Sequence, residues 1–215
     1  MKNYHIYALG NALVDKEFEV KDDFFERKKI QKGLMTLVDG QSQNTLLEHL
    51  MEEYSLKNRA GGGSAANTLY AASQFGANTF YSCKVANDEF GDFYLNELGD
   101  NNIDTNLGSI RSNDGVTGKC LVMVSPDAER TMLTYLGVSE NITSDDIDKD
   151  ALINSKYLYI EGYLVTSPTA LEACIEAKKI AEQHGVLTAI TLSDPGMVKF
   201  FRGGLEAMIG NGVDL

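Results

Sequence analysis

The sequence predicts an α/β protein with a mainly parallel central sheet, helices on both faces and a small β-sheet lid. Two observations predict this fold. Short apolar strands alternate with amphipathic helical segments along most of the chain, which is the pattern of βαβ units in a parallel sheet. Two early extended segments and a later hairpin interrupt the alternation. They predict two insertions, at about residues 16–38 and 115–137, that form the lid of one domain spanning 1–215.

The individual elements follow from periodicity and from glycine punctuation. A β-branched and aromatic run that ends at Gly10 predicts the first strand over 4–10. Leucines at helical spacing predict a helix over 41–54, and a helix of small residues is expected to stop at Gly76. The remaining predicted strands are 18–20, 34–38, 79–85, 118–124, 131–136, 157–160 and 186–192, and the remaining predicted helices are 89–98, 168–184 and 197–209.

Composition limits the classes of partner. The chain has 31 Asp and Glu against 19 Lys and Arg, a net charge of −12, and this surface would repel nucleic-acid backbones and anionic lipid. Neither a signal peptide nor an apolar run long enough to span a membrane is present. Cys83, Cys120 and Cys174 have no metal-type spacing, so we expect buried, reduced thiols in a cytoplasmic protein without a metal centre.

A glycine-rich loop is the strongest candidate site. Gly62 and Gly63, at the end of a run of three glycines, precede Ser64 and Asn67 at the start of a predicted helix. Glycines allow the backbone to approach a ligand closely, and the helix start offers free N–H groups beside a hydroxyl and an amide. The loop matches neither a P-loop nor a dinucleotide fingerprint. A plain tight turn into a helix explains the glycines equally well.

Polar residues at predicted strand ends supply further candidates. Asn11 and Asp15 follow the first strand, where ligands bind in open α/β sheets, and an ionised Asp can accept hydrogen bonds from two vicinal hydroxyls. Taken alone, the pair is better explained as an Asn/Asp turn. Glu161 ends the strand at 157–160 and could bind a ligand or cap the next segment. Arg130, in the hairpin, could reach over a ligand or only be solvated.

Together these motifs resemble the ribokinase family of carbohydrate and nucleoside kinases, also called the phosphofructokinase-B superfamily. Four segments carry the resemblance, in the family's order along the whole chain: 10–15, 61–67, 84–91 and 130–131. The pattern Gly-Asn-x-x-x-Asp at 10–15 and the segment 128–137 are similar to the adenosine-kinase branch. Kinases of ribose, fructose or 2-keto-3-deoxygluconate remain competing interpretations, as does a non-catalytic nucleoside-binding fragment.

The resemblance implies a three-layer ribokinase-like sandwich and assigns the candidate residues to one acceptor site. Asp15 would hold ribose hydroxyls, Gly62, Gly63, Ser64 and Asn67 would line the pocket, and Asn11, Arg130 and Glu161 would adjoin it. The reaction it implies is ATP-dependent phosphorylation of a ribose-type hydroxyl, most simply adenosine to AMP, with ATP and Mg²⁺ as cofactors. A homodimer formed through the lid is a further expectation, because a lid sheet has open edges and an apolar face.

The family's catalytic end is missing from this sequence. The glycine-rich anion hole Gly-Ala-Gly-Asp, which includes the catalytic aspartate, does not occur, and neither does the metal-linked Asn-x-x-Glu motif. Both would be expected after Leu215, so the sequence indicates a C-terminally truncated family member with an acceptor site and no catalytic residues. Phosphoryl transfer needs a base and charge neutralisation, so we expect the 215-residue chain alone to be inactive.

Overall fold

The structure, a computed structural model, describes residues 3–108 and 111–215. Its helices and strands form two five-stranded sheets with helical layers. The strands are β1 Tyr4–Leu9, β2 Leu13–Glu19, β3 Met35–Leu37, β4 Leu56–Gly62, β5 Thr79–Ser82, β6 Ile103–Thr105, β7 Gly118–Val124, β8 Arg130–Tyr135, β9 Ser155–Ile160 and β10 Leu187–Ile190. The helices are α1 Asp22–Lys28, α2 Gly40–Glu53, α3 Ser64–Gln74, α4 Glu89–Asp100, α5 Lys149–Ile153, α6 Pro168–Gln183, α7 Pro195–Phe200 and α8 Arg202–Ile209.

The central sheet has the strand order β10-β9-β1-β5-β6, and every neighbouring pair is parallel. Alternate residues of β1 pack into different layers. Tyr7 and Leu9 join the apolar core formed with α5 and α6, while Ala8 joins the core formed with α3 and α4. A parallel sheet buried on both faces is the arrangement that the alternation of strands and helices predicted. The α/β fold class is therefore confirmed.

The lid is the second sheet, with the strand order β3-β8-β7-β2-β4. The hairpin of β7 and β8 is antiparallel, as predicted, and β2 pairs in parallel with β7. The lid's outer face carries an apolar cluster of strand residues, Phe18 and Met123 among them, under α1 and α2. That face is therefore covered by the chain's own helices. The predicted lid-mediated homodimer stays a prediction.

Two predicted details of the elements are wrong, and one strand of the lid was not predicted. The segment 18–38 is not all β, because 22–28 forms α1: Asp22 and Asp23 in its first turn and Arg27 and Lys28 in its last suit the helix dipole. The lid also contains β4, which was not predicted because lysine, asparagine and glycine, all present in it, are uncommon in strands. The helix predicted over 197–209 is instead two helices, separated at Phe201.

The prediction for the cysteines is confirmed. All three cysteines are buried and free. None of the helices in residues 3–108 and 111–215 combines the length and the apolarity that a membrane crossing requires.

Candidate functional site

The site lies where the strand order of the central sheet reverses. From β1 the chain moves outward through β5 and β6, and then returns to place β9 on the other side of β1. Asn11 follows β1 and Glu161 follows β9, so both lie beyond the carboxyl ends of adjacent parallel strands. Asn11 Nδ2 donates a hydrogen bond of 3.2 Å to Glu161 Oε1, and both residues are buried. Such a switch point is where ligands bind in open α/β sheets.

Glu161 also fixes the start of α3. Its Oε2 accepts a hydrogen bond of 2.9 Å from the backbone N–H of Ala65, in the first turn of that helix. The free N–H groups of a helix start stabilise an anion, and here the anion is a buried side chain. Burial raises the pKa of Glu161, while the bonds from Ala65 and Asn11 oppose that rise. Glu161 therefore joins the ends of β1 and β9 to the glycine loop.

The glycine loop needs its glycines for close approach. Gly63 has φ +100°, and a Cβ there would lie 2.3 Å from the carbonyl oxygen of Asn11. A Cβ on Gly62 would lie 2.1 Å from Asp15 Oδ1. The loop can therefore pass directly against the ends of β1 and β2 only because these positions carry no side chain. The plain-turn interpretation does not account for this contact with Asp15.

Asp15 is a charged group of the site that lacks a direct partner in the described residues. It lies in β2, on the lid face that borders the cleft, and its carboxylate makes no hydrogen bond or ion pair within residues 3–108 and 111–215. Burial raises the pKa of Asp15 to about 7, although the positive charge of Arg130 opposes the rise. A half-buried carboxyl without an internal partner is costly, and it is suited to accept hydrogen bonds from a ligand.

These residues line one cleft of about 200 Å³ between the central sheet and the lid. Seven of the predicted site residues border it directly: Asn11, Asp15, Gly63, Ser64, Asn67, Arg130 and Glu161. Gly62 packs behind Asp15 instead. The Ser64 hydroxyl is near enough to Glu161 to oppose its raised pKa, yet it has no partner at hydrogen-bond geometry in the described chain. Arg130 forms no ion pair in those residues, although its charge acts on Asp15.

The apolar wall of the cleft was not predicted from the sequence. Strands β3, β7 and β8 contribute it from the lid face opposite the covered apolar cluster. Strand β2 and the segments that follow β8 and β9 add further side chains. The complete wall consists of Leu13, Met35, Leu37, Cys120, Met132, Thr134, Leu136, Tyr163 and Thr166. The alternation along β8 separates Met132 and Thr134 on one face from Leu133 on the other, but it does not indicate which face borders a cleft.

Within residues 3–108 and 111–215, no group of three or more His, Cys, Asp or Glu side chains is arranged to hold a metal ion.

Comparison with known proteins identifies the family. The family model described as pfkB family carbohydrate kinase matches residues 35–215. The chain belongs to this family. A probable sugar kinase from Rhizobium etli CFN 42 superposes with a TM-score of 0.92 at 30% identity, over 99% of this chain and 63% of that one. Adenosine kinase from Sinorhizobium meliloti superposes with a TM-score of 0.91 at 31% identity, with the same coverage.

Curated relatives of this pfkB-family chain act on different acceptors. Guanosine-inosine kinase of Escherichia coli strain K12 is 23% identical over 192 residues, 87% of this chain and 44% of the relative. Ribokinase of Mus musculus is 31% identical over 127 residues, 59% of this chain and 38% of the relative. The chain thus spans less than half the length of these curated relatives. These similarities establish the family, and they do not distinguish a nucleoside acceptor from a sugar acceptor.

Proposed function

We propose that this chain provides the acceptor site of an ATP-dependent kinase that phosphorylates a ribose-type hydroxyl, with adenosine as the acceptor and AMP as the product. The observation that carries the proposal is the lining of the cleft. Polar groups at the strand ends and in the glycine loop, Ser64 and Asn67 among them, face a lid surface that is mostly apolar, including Met35, Leu37 and Met132, with Asp15 in the same lid face. Ribose suits the polar part and a purine base suits the apolar wall, whereas a plain sugar would leave that wall unused.

The residues of this chain bind and orient the acceptor. The ionised Asp15 carboxylate accepts hydrogen bonds from the vicinal hydroxyls, and the Asn67 amide can donate or accept beside it. Glu161 is a positioning residue, because its two hydrogen bonds hold Asn11 and the start of α3 in place. Fixing the hydroxyl in one orientation is this chain's contribution to rate. ATP supplies the phosphoryl group and Mg²⁺ neutralises its charge, and both belong to the proposal for the whole enzyme.

Calorimetric titration of the 215-residue chain tests the acceptor. Adenosine is expected to bind at least about tenfold more tightly than ribose, because only adenosine has a base to bury against the apolar wall. Asp15→Ala should weaken both ligands. Equal affinities for adenosine and ribose would favour a sugar acceptor, and the failure of both to bind would refute the acceptor site. In a turnover assay with ATP, we expect the same chain to bind adenosine without phosphorylating it.

A further inference from the structure

Three cationic side chains surround one aromatic ring at the back of the lid, on the face away from the cleft. Lys16 Nζ lies 5.0 Å and Lys119 Nζ 5.2 Å from the centre of the Phe90 ring, and the guanidinium carbon of Arg59 lies 4.7 Å from it. The same Arg59 carbon lies 4.2 Å from the centre of the Phe93 ring. We call Lys16, Arg59 and Lys119 the basic cluster.

The strand pairing forces these charges together. Lys16 of β2 is paired directly with Arg59 of β4, and Lys119 lies on β7, the neighbour of β2 on its other side. Like charges directly opposite one another on a sheet are destabilising. Besides burial, the charges of Lys119 and Arg59 lower the pKa of Lys16. The cluster is therefore electrostatically unfavourable in the protein alone.

The protein supplies partial compensation through two carboxylates. Glu89 Oε1 accepts a hydrogen bond of 2.7 Å from Arg59 Nη2. The charge of Asp88 also interacts favourably with Lys119, although the Asp88 carboxylate already caps α4 at Gly91 and accepts two hydrogen bonds from Thr117.

The other cationic groups have no acceptor. In residues 3–108 and 111–215, neither Lys16 nor Lys119 forms an ion pair or a hydrogen bond through its ammonium group, and the buried Arg59 Nε has no acceptor. Lys57 of the same strand as Arg59 differs, because Glu19 pairs with it at 2.9 Å. Three cationic groups thus face two nearby carboxylates, of which Glu89 pairs directly with Arg59.

We propose that the basic cluster binds a small multivalent oxyanion, of which inorganic phosphate is the simplest example, at a site separate from the acceptor cleft. Two ammonium groups and a guanidinium, each about 5 Å from one ring centre, offer several cationic donors to the oxygens of such an anion. A bound dianion would offset the repulsion between paired strands, which the rings of Phe90 and Phe93 offset only in part. The proposal does not depend on which acceptor the cleft binds.

Titration of the 215-residue chain with inorganic phosphate, followed by calorimetry and by thermal unfolding, tests the site. Phosphate should raise Tm by roughly 2–4 °C near saturation, and NaCl at equal ionic strength should not. Lys16→Gln should weaken phosphate binding by about tenfold, as expected for the loss of one charge-assisted contact. Lys57→Gln removes the same charge from the same lid and should leave the affinity within about twofold of the unsubstituted chain.

Several outcomes would overturn the proposal. A phosphate effect no larger than that of NaCl would show that the cluster is only structural. Equal losses in Lys16→Gln and Lys57→Gln would show non-specific attraction. A loss in Arg130→Gln, with Lys16→Gln unaffected, would place the anion in the acceptor cleft. Lys119→Gln repeats the test if Lys16→Gln does not fold, as judged by circular dichroism, and retained phosphate binding in that variant would also overturn the proposal.

Discussion

The two faces of the lid sheet differ in how they treat polar and apolar groups, although the same strands form both. On the outer face, Phe18 and Met123 are fully buried beneath α1 and α2. On the cleft face, Met132 remains partly exposed and Asp15 keeps a carboxylate without a partner in the described chain. Side chains beneath α1 and α2 are therefore fully packed, whereas the cleft face keeps exposed apolar surface and a carboxylate that is unpaired within the described residues. Such groups are expected where a ligand binds.

The largest expected effect separates the two faces through a pair of methionines. Met123→Ala should lower the free energy of unfolding by about 2–5 kcal/mol, because it opens a cavity in a filled apolar cluster. Met132→Ala should cost under about 1 kcal/mol, because that side chain already borders open space. Urea unfolding measures both changes. Acceptor affinity should fall only in Met132→Ala, and equal costs in stability would contradict the distinction between the faces.

The next largest effect concerns Gly62, whose missing side chain leaves space for the Asp15 carboxylate. In Gly62→Ala the new Cβ would displace the Asp15 carboxylate, and adenosine affinity should fall by about 1.5–3 kcal/mol, the value of a hydrogen bond to a charged group. Calorimetry with adenosine measures this loss. Gly99→Ala is the matched control, since a Cβ in that α4 position meets nothing within 4 Å and favours the helix. Unchanged affinity in Gly62→Ala would show that Asp15 can move without consequence.

The central sheet could be predicted from sequence, because its strands are apolar and its helices have clear periodicity. Much of the polar part of the cleft was predictable for a related reason. Asn11 and Glu161 stand directly after strands, and the carboxyl ends of adjacent parallel strands must meet at one edge. Their mutual hydrogen bond could not be predicted, because the order of β9 and β1 in the sheet depends on packing between distant segments.

The lid was harder to predict because its segments contradict local preferences. The strand β4 reads Leu-Lys-Asn-Arg-Ala-Gly-Gly, and only pairing with β2 makes it extended. Charged residues around Phe24 and Phe25 concealed the apolar side of α1. The apolar wall escaped for a different reason: nothing local shows which face of β8 borders a cleft rather than a helix. Tertiary contacts decide these cases.

The smallest expected effect concerns pH. Ionisation of Asp15 should strengthen adenosine binding and lower the stability of the unliganded chain. The pKa of Asp15 is raised to about 7, so the ionised form that accepts hydroxyl hydrogen bonds becomes dominant only above that pH. Adenosine affinity should therefore rise by about tenfold between pH 6 and pH 8. Asp15→Asn should flatten this profile, and calorimetry at several pH values measures it.

Stability of the unliganded chain should change in the opposite direction. The folded state retains the Asp15 proton up to about pH 7, whereas the unfolded state releases it near pH 4. The stabilisation from this group is thus complete below pH 4 and is lost as the pH rises through 7. In the unsubstituted chain, the charge of Arg130 opposes the rise in the Asp15 pKa. Arg130→Gln should therefore move the pH transitions of adenosine affinity and of stability near pH 7 to higher pH. An affinity profile that keeps its slope in Asp15→Asn would instead assign the titration to another group of the cleft, of which Glu161, also buried with a raised pKa, is the first to test.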